Sequence, residues 1–164
     1  MLRKLFYPRE IVPDIFLIDT RALRERGIKG LILDIDDTLI PREVKEVYPK
    51  VFAWIQSRKE EGFKICLTSN SRHPIRVKYF GETLGVPSLH FSLKPLPFAF
   101  WRSLEILGTK AEETAMIGDQ LFMDIWGANW VNIYSIYIDH RKEEWFPPRR
   151  WMRWAERWLI DNWG

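Results

Sequence analysis

Cysteine is almost absent from this sequence. Cys66 is the only one, so no intramolecular disulfide can form and the reducing cytosol is the natural compartment. Its thiol falls in the apolar run Ile65–Leu67, where an ordinary buried role is expected. Long hydrophobic runs are missing too: no stretch approaches the roughly 18 apolar residues of a membrane-crossing helix. The opening Met1–Phe6 lacks the extended apolar region and cleavage site of a secretion signal. Histidine is scarce, and His73, His90 and His140 are scattered, which argues against a histidine-ligated metal. Neither sign of charge dominates. A net charge of +3 with a pI near 9.0 leans mildly towards anionic partners and does not make a nucleic-acid binder. Repeats and low-complexity linkers are also absent.

What is present fits one globular domain over residues 1–164. At 46% hydrophobic and 29% charged, a chain of this length buries a core without disulfide staples. Short apolar runs alternate with helix-like segments, the pattern of a mainly parallel α/β sheet. Gly30–Asp34 reads as a strand, entered from a helix at Thr20–Arg26 that stops on Gly27. A helix over Tyr48–Glu61 precedes a strand at Lys64–Thr68. Pro74–Leu84 predicts a helix closed by Gly85, Leu89–Phe91 a short strand, and Pro97–Leu107 a helix opening on proline and closing on Gly108. Glu113–Ile117 and Asn132–Ile138 complete the strands, with a helix at Leu121–Ala128 between them.

Acidic and polar residues gather directly after these strands, the end at which parallel sheets bind ligands. Asp34, Asp36 and Asp37 follow the Gly30 strand, with Thr38 next. Thr68-Ser69-Asn70 follows the second, Lys94-Pro95 the third, and Gly118-Asp119 with Asp124 the fourth. Crowded carboxylates repel one another unless a cation or substrate compensates them. Oxygen ligands without histidine or cysteine suit Mg²⁺ and not zinc.

The order of a paired Asp, a hydroxyl, a lysine and a second acidic pair resembles the four signatures of the haloacid dehalogenase (HAD) superfamily across about residues 28–138. The resemblance implies a Rossmann-like three-layer α/β/α sandwich and a Mg²⁺-dependent phosphohydrolase. Asp34 would attack phosphorus to give an aspartyl-phosphate. Asp36 would protonate the leaving alkoxide and then deprotonate the attacking water. The superfamily's dehalogenases lack an acid there. Ser69, in preference to Thr68, and Asn70 would hold the transferring phosphoryl group, while Lys94 would neutralise it and keep Asp34 ionised. Asp34, the carbonyl of Asp36, Asp119 and Asp124 would form the metal site, with Asp124 a ligand or an orienter. Thr38 would brace the loop, and Asp37 has no assigned role.

The gaps Leu39–Phe63 and Ser71–Leu93 are too short for a cap domain. Uncapped members of the superfamily tend to act on large substrates that cover the site themselves; closure by loops or by a second subunit is the alternative. Pro8, Val12-Pro13-Asp14, Gly27–Gly30, Ser69-Asn70, Lys94-Pro95 and Ile117–Gln120 resemble the YqeG-like and phosphatidylglycerophosphate phosphatases. That narrower resemblance implies a lipid phosphomonoester, phosphatidylglycerophosphate, dephosphorylated to phosphatidylglycerol at the cytoplasmic membrane face. The rivals are a phosphatase for a soluble sugar phosphate or nucleotide, and a non-catalytic binding module.

Nine tryptophans is a high count, and Trp145, Trp151, Trp154, Trp158 and Trp163 crowd the C-terminal end. On a helix over about Pro148–Trp163, Trp151, Trp154, Trp158 and Leu159 share one face, with Arg150, Arg153 and Arg157 opposite. Three readings stay open: the tryptophans pack on the domain with the arginines solvated, they form a dimer interface, or they meet an anionic membrane peripherally. Arg3, Lys4 and Arg9 among Leu2, Leu5 and Phe6 would extend a membrane surface if the two ends meet.

Overall fold

The apolar runs read from the sequence become strands because parallel strands are covered on both faces and admit almost no polar side chain. In the computed structural model, which describes residues 1–164, all five residues of the strand Gly30–Asp34 are buried. In chain order the strands are β1 (Glu10–Val12), β2 (Gly30–Asp34), β3 (Lys64–Thr68), β4 (Ser88–Leu89), β5 (Thr114–Gly118) and β6 (Tyr134–Ile138). The helices are α1 (Leu2–Phe6), α2 (Thr20–Glu25), α3 (Pro49–Glu60), α4 (Pro74–Leu84), α5 (Pro97–Leu107), α6 (Trp126–Trp130) and α7 (Pro147–Trp163). The six strands form one parallel sheet in the order β1-β6-β5-β2-β3-β4.

Alternation along the strands divides the core. Leu31, Leu33, Ile65, Leu67 and Ile117 face α3 and α4 through Val51, Trp54, Ile55, Val77 and Phe80. Ile32, Cys66 and Met116 point the other way, onto Ala99, Phe100, Leu107 and Ala128 of α5 and α6. This is a three-layer α/β/α sandwich with a mainly parallel sheet, and neither connection out of β2 or β3 holds a cap. Cys66 is fully buried and burial pushes its thiol up to about 11, so it is inert packing.

Several boundaries differ from the sequence expectation. The strand expected at Leu89–Phe91 ends at Leu89, because Phe91 (φ 46°) and Leu93 (φ 62°) turn the chain into the left-handed region. The helix expected over Leu121–Ala128 opens as a π turn, Leu121–Ile125, and only then becomes α6. Strand β1 went unread: its three residues pair with β6 at the sheet edge and are too few to show a period.

The C-terminal helix inverts the expected roles of its faces. Arg153, Glu156 and Ile160 are its buried residues, with Ile160 packed on Leu121, Ile125 and Tyr137. Trp151 and Trp154 remain 73% and 63% exposed, so the tryptophan face does not pack on the domain. Nor are the arginines together on the far side: Arg150 lies in solvent beside Trp151 and Trp154, Arg153 is inside, and Arg157 donates to the Lys142 carbonyl. The two chain ends do meet, through Tyr7 packed beside Ile160. No helix is long and apolar enough to cross a membrane.

Candidate active site

From β2 the chain runs to β3 and β4 on one side and later returns as β5 on the other. A crevice opens where the directions diverge, at the carboxyl end of β2. Asp34 is the last residue of that strand. The turn after it is tight, with the Ile35 carbonyl accepting from the amides of Thr38, Leu39 and Ile40. It requires a left-handed residue, and Asp37 is there at φ 58° with its carboxylate accepting from the Arg42 amide at 3.2 Å. Asp and Asn tolerate that backbone better than other side chains, which gives the unassigned Asp37 a structural role. Thr38 Oγ1 donates to Asp34 Oδ2 at 3.2 Å, as a brace should.

Lys94 is buried and reaches three oxygens: Asp34 Oδ1 at 2.9 Å, Asp124 Oδ1 at 2.7 Å and the Thr68 carbonyl at 3.3 Å. Asn70 aims it. The Asn70 side chain accepts from the Lys94 amide (2.8 Å) and the Ser92 hydroxyl (3.0 Å) and donates to the Lys94 carbonyl (2.9 Å). This clamp holds the loop in which Leu93 carries its unfavourable positive φ. Ser69 is buried beside it, its Oγ accepting from the Ser71 amide at 3.0 Å. Asp119 and Asp124 follow Gly118, where any Cβ would collide with the Asp124 carboxylate.

One atom each from Asp34, Asp119 and Asp124 lies within 4.8 Å of the others, and all three residues are buried. Burial raises the Asp34 and Asp124 carboxyls above their usual range and Asp119 adds repulsion, while Lys94 opposes both effects. Lys94 itself is held charged by the two carboxylates against the cost of its burial. Burial would raise Asp119 as well, but a hydrogen bond from His140 and the Arg153 guanidinium bring it below its ordinary value. Asp124 Oδ1, although close to Lys94, accepts no well-aligned hydrogen bond. Three buried carboxylates facing the Lys94 ammonium and the Arg153 guanidinium still leave an excess of negative charge, and an all-oxygen donor set fits a hard divalent cation.

Of the residues singled out from the sequence, Asp34, Asp36, Ser69, Asn70, Lys94 and Asp124 line one cavity of about 580 Å³, with Asp119 behind it at the base. Asp36 stands apart from the carboxylate trio: its side chain meets Arg76 at 2.6 Å and Arg42 at 3.7 Å. Further residues went unread. Arg76 and Arg149 line the cavity from α4 and α7. His140 Nε2 lies 3.1 Å from Asp119 Oδ2, and since its Nδ1 accepts from the Lys142 amide, the ring proton sits on Nε2. Arg153 donates from α7 to both the carboxylate and the backbone carbonyl of Asp119. None belongs to a motif read from the sequence, although His140 stands two residues after β6. Only the spacing of Arg153, Glu156 and Ile160, three points on one helical face, carried a signal.

The profile of the haloacid dehalogenase-like hydrolases matches residues 42–132, a span that begins after Asp34 and Asp36. A Bacillus subtilis (strain 168) protein named probable phosphatase YqeG is 38% identical over 138 residues, covering 84% of this chain and 80% of its own length. A Chlamydomonas reinhardtii protein named phosphatidylglycerophosphate phosphatase 1, chloroplastic, is 30% identical over 83% of this chain, which spans only 54% of that relative. Among solved structures, a cobalt-bound deoxy-D-mannose-octulosonate 8-phosphate phosphatase from Haemophilus influenzae superposes with a TM-score of 0.51 at 22% identity, covering 58% of this chain and 60% of that one. The likeness in fold and the identity to YqeG agree with the site, and a non-catalytic module is set aside: this chain belongs to the haloacid dehalogenase-like hydrolases, among their phosphatases.

Proposed function

We propose that the phosphatase is Mg²⁺-dependent and removes the terminal phosphate of phosphatidylglycerophosphate, acting from the cytoplasmic side of a membrane. The observation that carries this reading is the charge of an open cavity. Only one of its fourteen lining residues is hydrophobic, and Arg42, Arg72, Arg76 and Arg149 surround the catalytic carboxylates and Lys94. Arg72 stacks on Phe91 at 5.3 Å and pairs with no carboxylate. A single phosphomonoester already has Lys94 and a divalent cation to neutralise it. Arg42 and Arg76 already pair with Asp36 and Arg149 with Glu144, so the uncommitted Arg72 is the guanidinium that suits a headgroup carrying a second phosphate, the phosphodiester. The Chlamydomonas relative bears the name of that activity.

In this mechanism Asp34 attacks phosphorus, and the bond to the leaving oxygen breaks. Asp36 gives that oxygen its proton, then takes a proton from the water that cleaves the aspartyl-phosphate. Arg76 holds Asp36 against the cavity wall, and an anionic substrate competing for Arg76 frees the carboxyl to turn inward. Ser69 and Asn70 offer the phosphoryl oxygens a hydroxyl and an amide. Lys94 supplies positive charge from a fixed, buried position, where it counts for more than in water. Asp34, Asp119 and Asp124 would hold the Mg²⁺, which shields the anionic nucleophile from the anionic substrate.

The test compares short-chain phosphatidylglycerophosphate with glycerol 3-phosphate and a nucleotide monophosphate at saturating Mg²⁺. Charge-assisted contacts to a second phosphate predict a kcat/KM advantage of about ten- to a hundredfold for the lipid. Arg72→Ala should remove most of that advantage and leave p-nitrophenyl phosphate turnover alone. Equal kcat/KM for all three would favour a soluble phosphomonoester.

A further inference from the structure

The buried side of α7 fixes its orientation through polar contacts. Arg153 is locked to Asp119, and Glu156 is fully buried while accepting from the Phe122 amide at 3.2 Å. Arg141 pairs with Asp161 at 3.0 Å on the flank. A helix pinned in this way cannot roll to bury its other side. That other side carries Trp151, Trp154 and Trp158, at 73%, 63% and 50% exposure, with Phe146 at 52% just ahead of the helix. Trp151 and Trp154 meet edge to face at 5.9 Å. Together with Pro147 and the exposed, carboxylate-free Arg150 they line a shallow apolar depression. Bulky aromatic rings are costly to leave in water, and so many on one fixed face mark a docking surface.

We infer that this face of α7 is a docking surface for an anionic lipid bilayer. The choice of occupant rests on the lipid-borne substrate proposed above and on charge complementarity. Tryptophan rings settle at the headgroup boundary, apolar body inward and indole N–H outward. Arg150 among them, with Arg157 on the flank, suits the phosphates of anionic headgroups. A two-fold contact with a second copy would instead set this cationic stripe against itself. The position is also apt, because Arg149 lines the catalytic cavity from the first turn of the same helix. Docking through α7 would hold the catalytic domain at the bilayer surface, where a lipid-borne substrate resides.

The test needs no substrate. The full chain is sedimented with vesicles of phosphatidylcholine alone and of phosphatidylcholine containing phosphatidylglycerol. Binding is expected on the anionic vesicles, weakened by salt and by Arg150→Gln, and at least about tenfold weaker for the triple change Trp151→Ser, Trp154→Ser, Trp158→Ser. Tm and p-nitrophenyl phosphate turnover should be unchanged in the triple variant. If it fails to fold, Trp151→Ser alone, the most exposed of the three, carries the same comparison. No binding by the wild type, or equal binding by the variants, overturns the inference. So does a concentration-dependent dimer that the tryptophan changes dissolve, which would assign the face to a second copy. Binding without hydrolysis of phosphatidylglycerophosphate would overturn the substrate reading alone, and equal vesicle turnover by the triple variant would overturn the docking alone.

Discussion

Asn70 and Gly118 act on the site without touching phosphorus chemistry in the way a nucleophile does. Asn70 makes three hydrogen bonds across the loop bearing Lys94, so Asn70→Ala frees Leu93 to leave its left-handed conformation and takes Lys94 off Asp34 and Asp124. By analogy with the loss of orienting residues around a metal site, the expected cost is about ten- to a hundredfold in kcat, read from steady-state kinetics on p-nitrophenyl phosphate. Gly118→Ala would drive a Cβ into the Asp124 carboxylate. It should raise the Mg²⁺ concentration for half-maximal activity at least about tenfold, while a surface change such as Lys78→Ala leaves it alone. At this scale much of the site was legible in the sequence, because Asp34, Ser69, Asn70 and Asp119 stand at or just past the end of a strand, and Lys94 lies in the loop that follows β4. Arg76, His140 and Arg153 were not, because they approach from helix faces and a distant loop, where neighbours in the sequence say nothing about neighbours in space.

Among the elements, α7 departs furthest from its sequence pattern. A helical wheel sorts residues by hydropathy and so turns ionic groups outward. Here a buried ionic clasp to Asp119 fixes the helix and leaves the tryptophans outside. Removing one partner of a buried, shared ion pair costs about 3–5 kcal/mol. Arg153→Met should then lower Tm by about 10 °C in a domain of this size. Added Mg²⁺ should recover part of that loss by giving Asp119 another cation, whereas a purely structural role would leave the deficit constant. Glu156 adds a pH signature. Burial pushes its carboxyl from an ordinary 4.5 up to about 7, with Arg153 opposing the shift. The folded state thus holds the proton more tightly than the unfolded chain, so the stabilisation is complete below about pH 4.5 and is lost as pH rises through about 7. Glu156→Gln cannot ionise. Paired thermal melts from pH 4.5 to 8 should show wild type losing ground to Glu156→Gln as pH rises, and a gap moving the other way contradicts the placement of Glu156. The longer strands and helices, by contrast, kept their expected positions to within a residue or two, since their apolar runs are decided by burial in the sheet.

For the whole molecule, the sheet gathers three buried carboxylates against only Lys94 and Arg153, an arrangement that a divalent cation relieves. EDTA should abolish turnover and Mg²⁺ restore it. A cation bound only by the folded state should also raise Tm, by an amount equivalent to about 2.7 kcal/mol at a hundredfold excess over Kd. Restoration by zinc and not by magnesium would refute the reading of an all-oxygen site. We propose that the phosphoryl group passes to Asp34 and is released with the help of Asp36. The most direct measurement is intact-protein and peptide mass spectrometry on Asp36→Asn after acid quench from a phosphomonoester. One phosphoryl group is expected on Asp34, removed by hydroxylamine and absent from Asp34→Asn. A fully active Asp34→Asn, or a trapped phosphate on any other residue, would contradict the proposal.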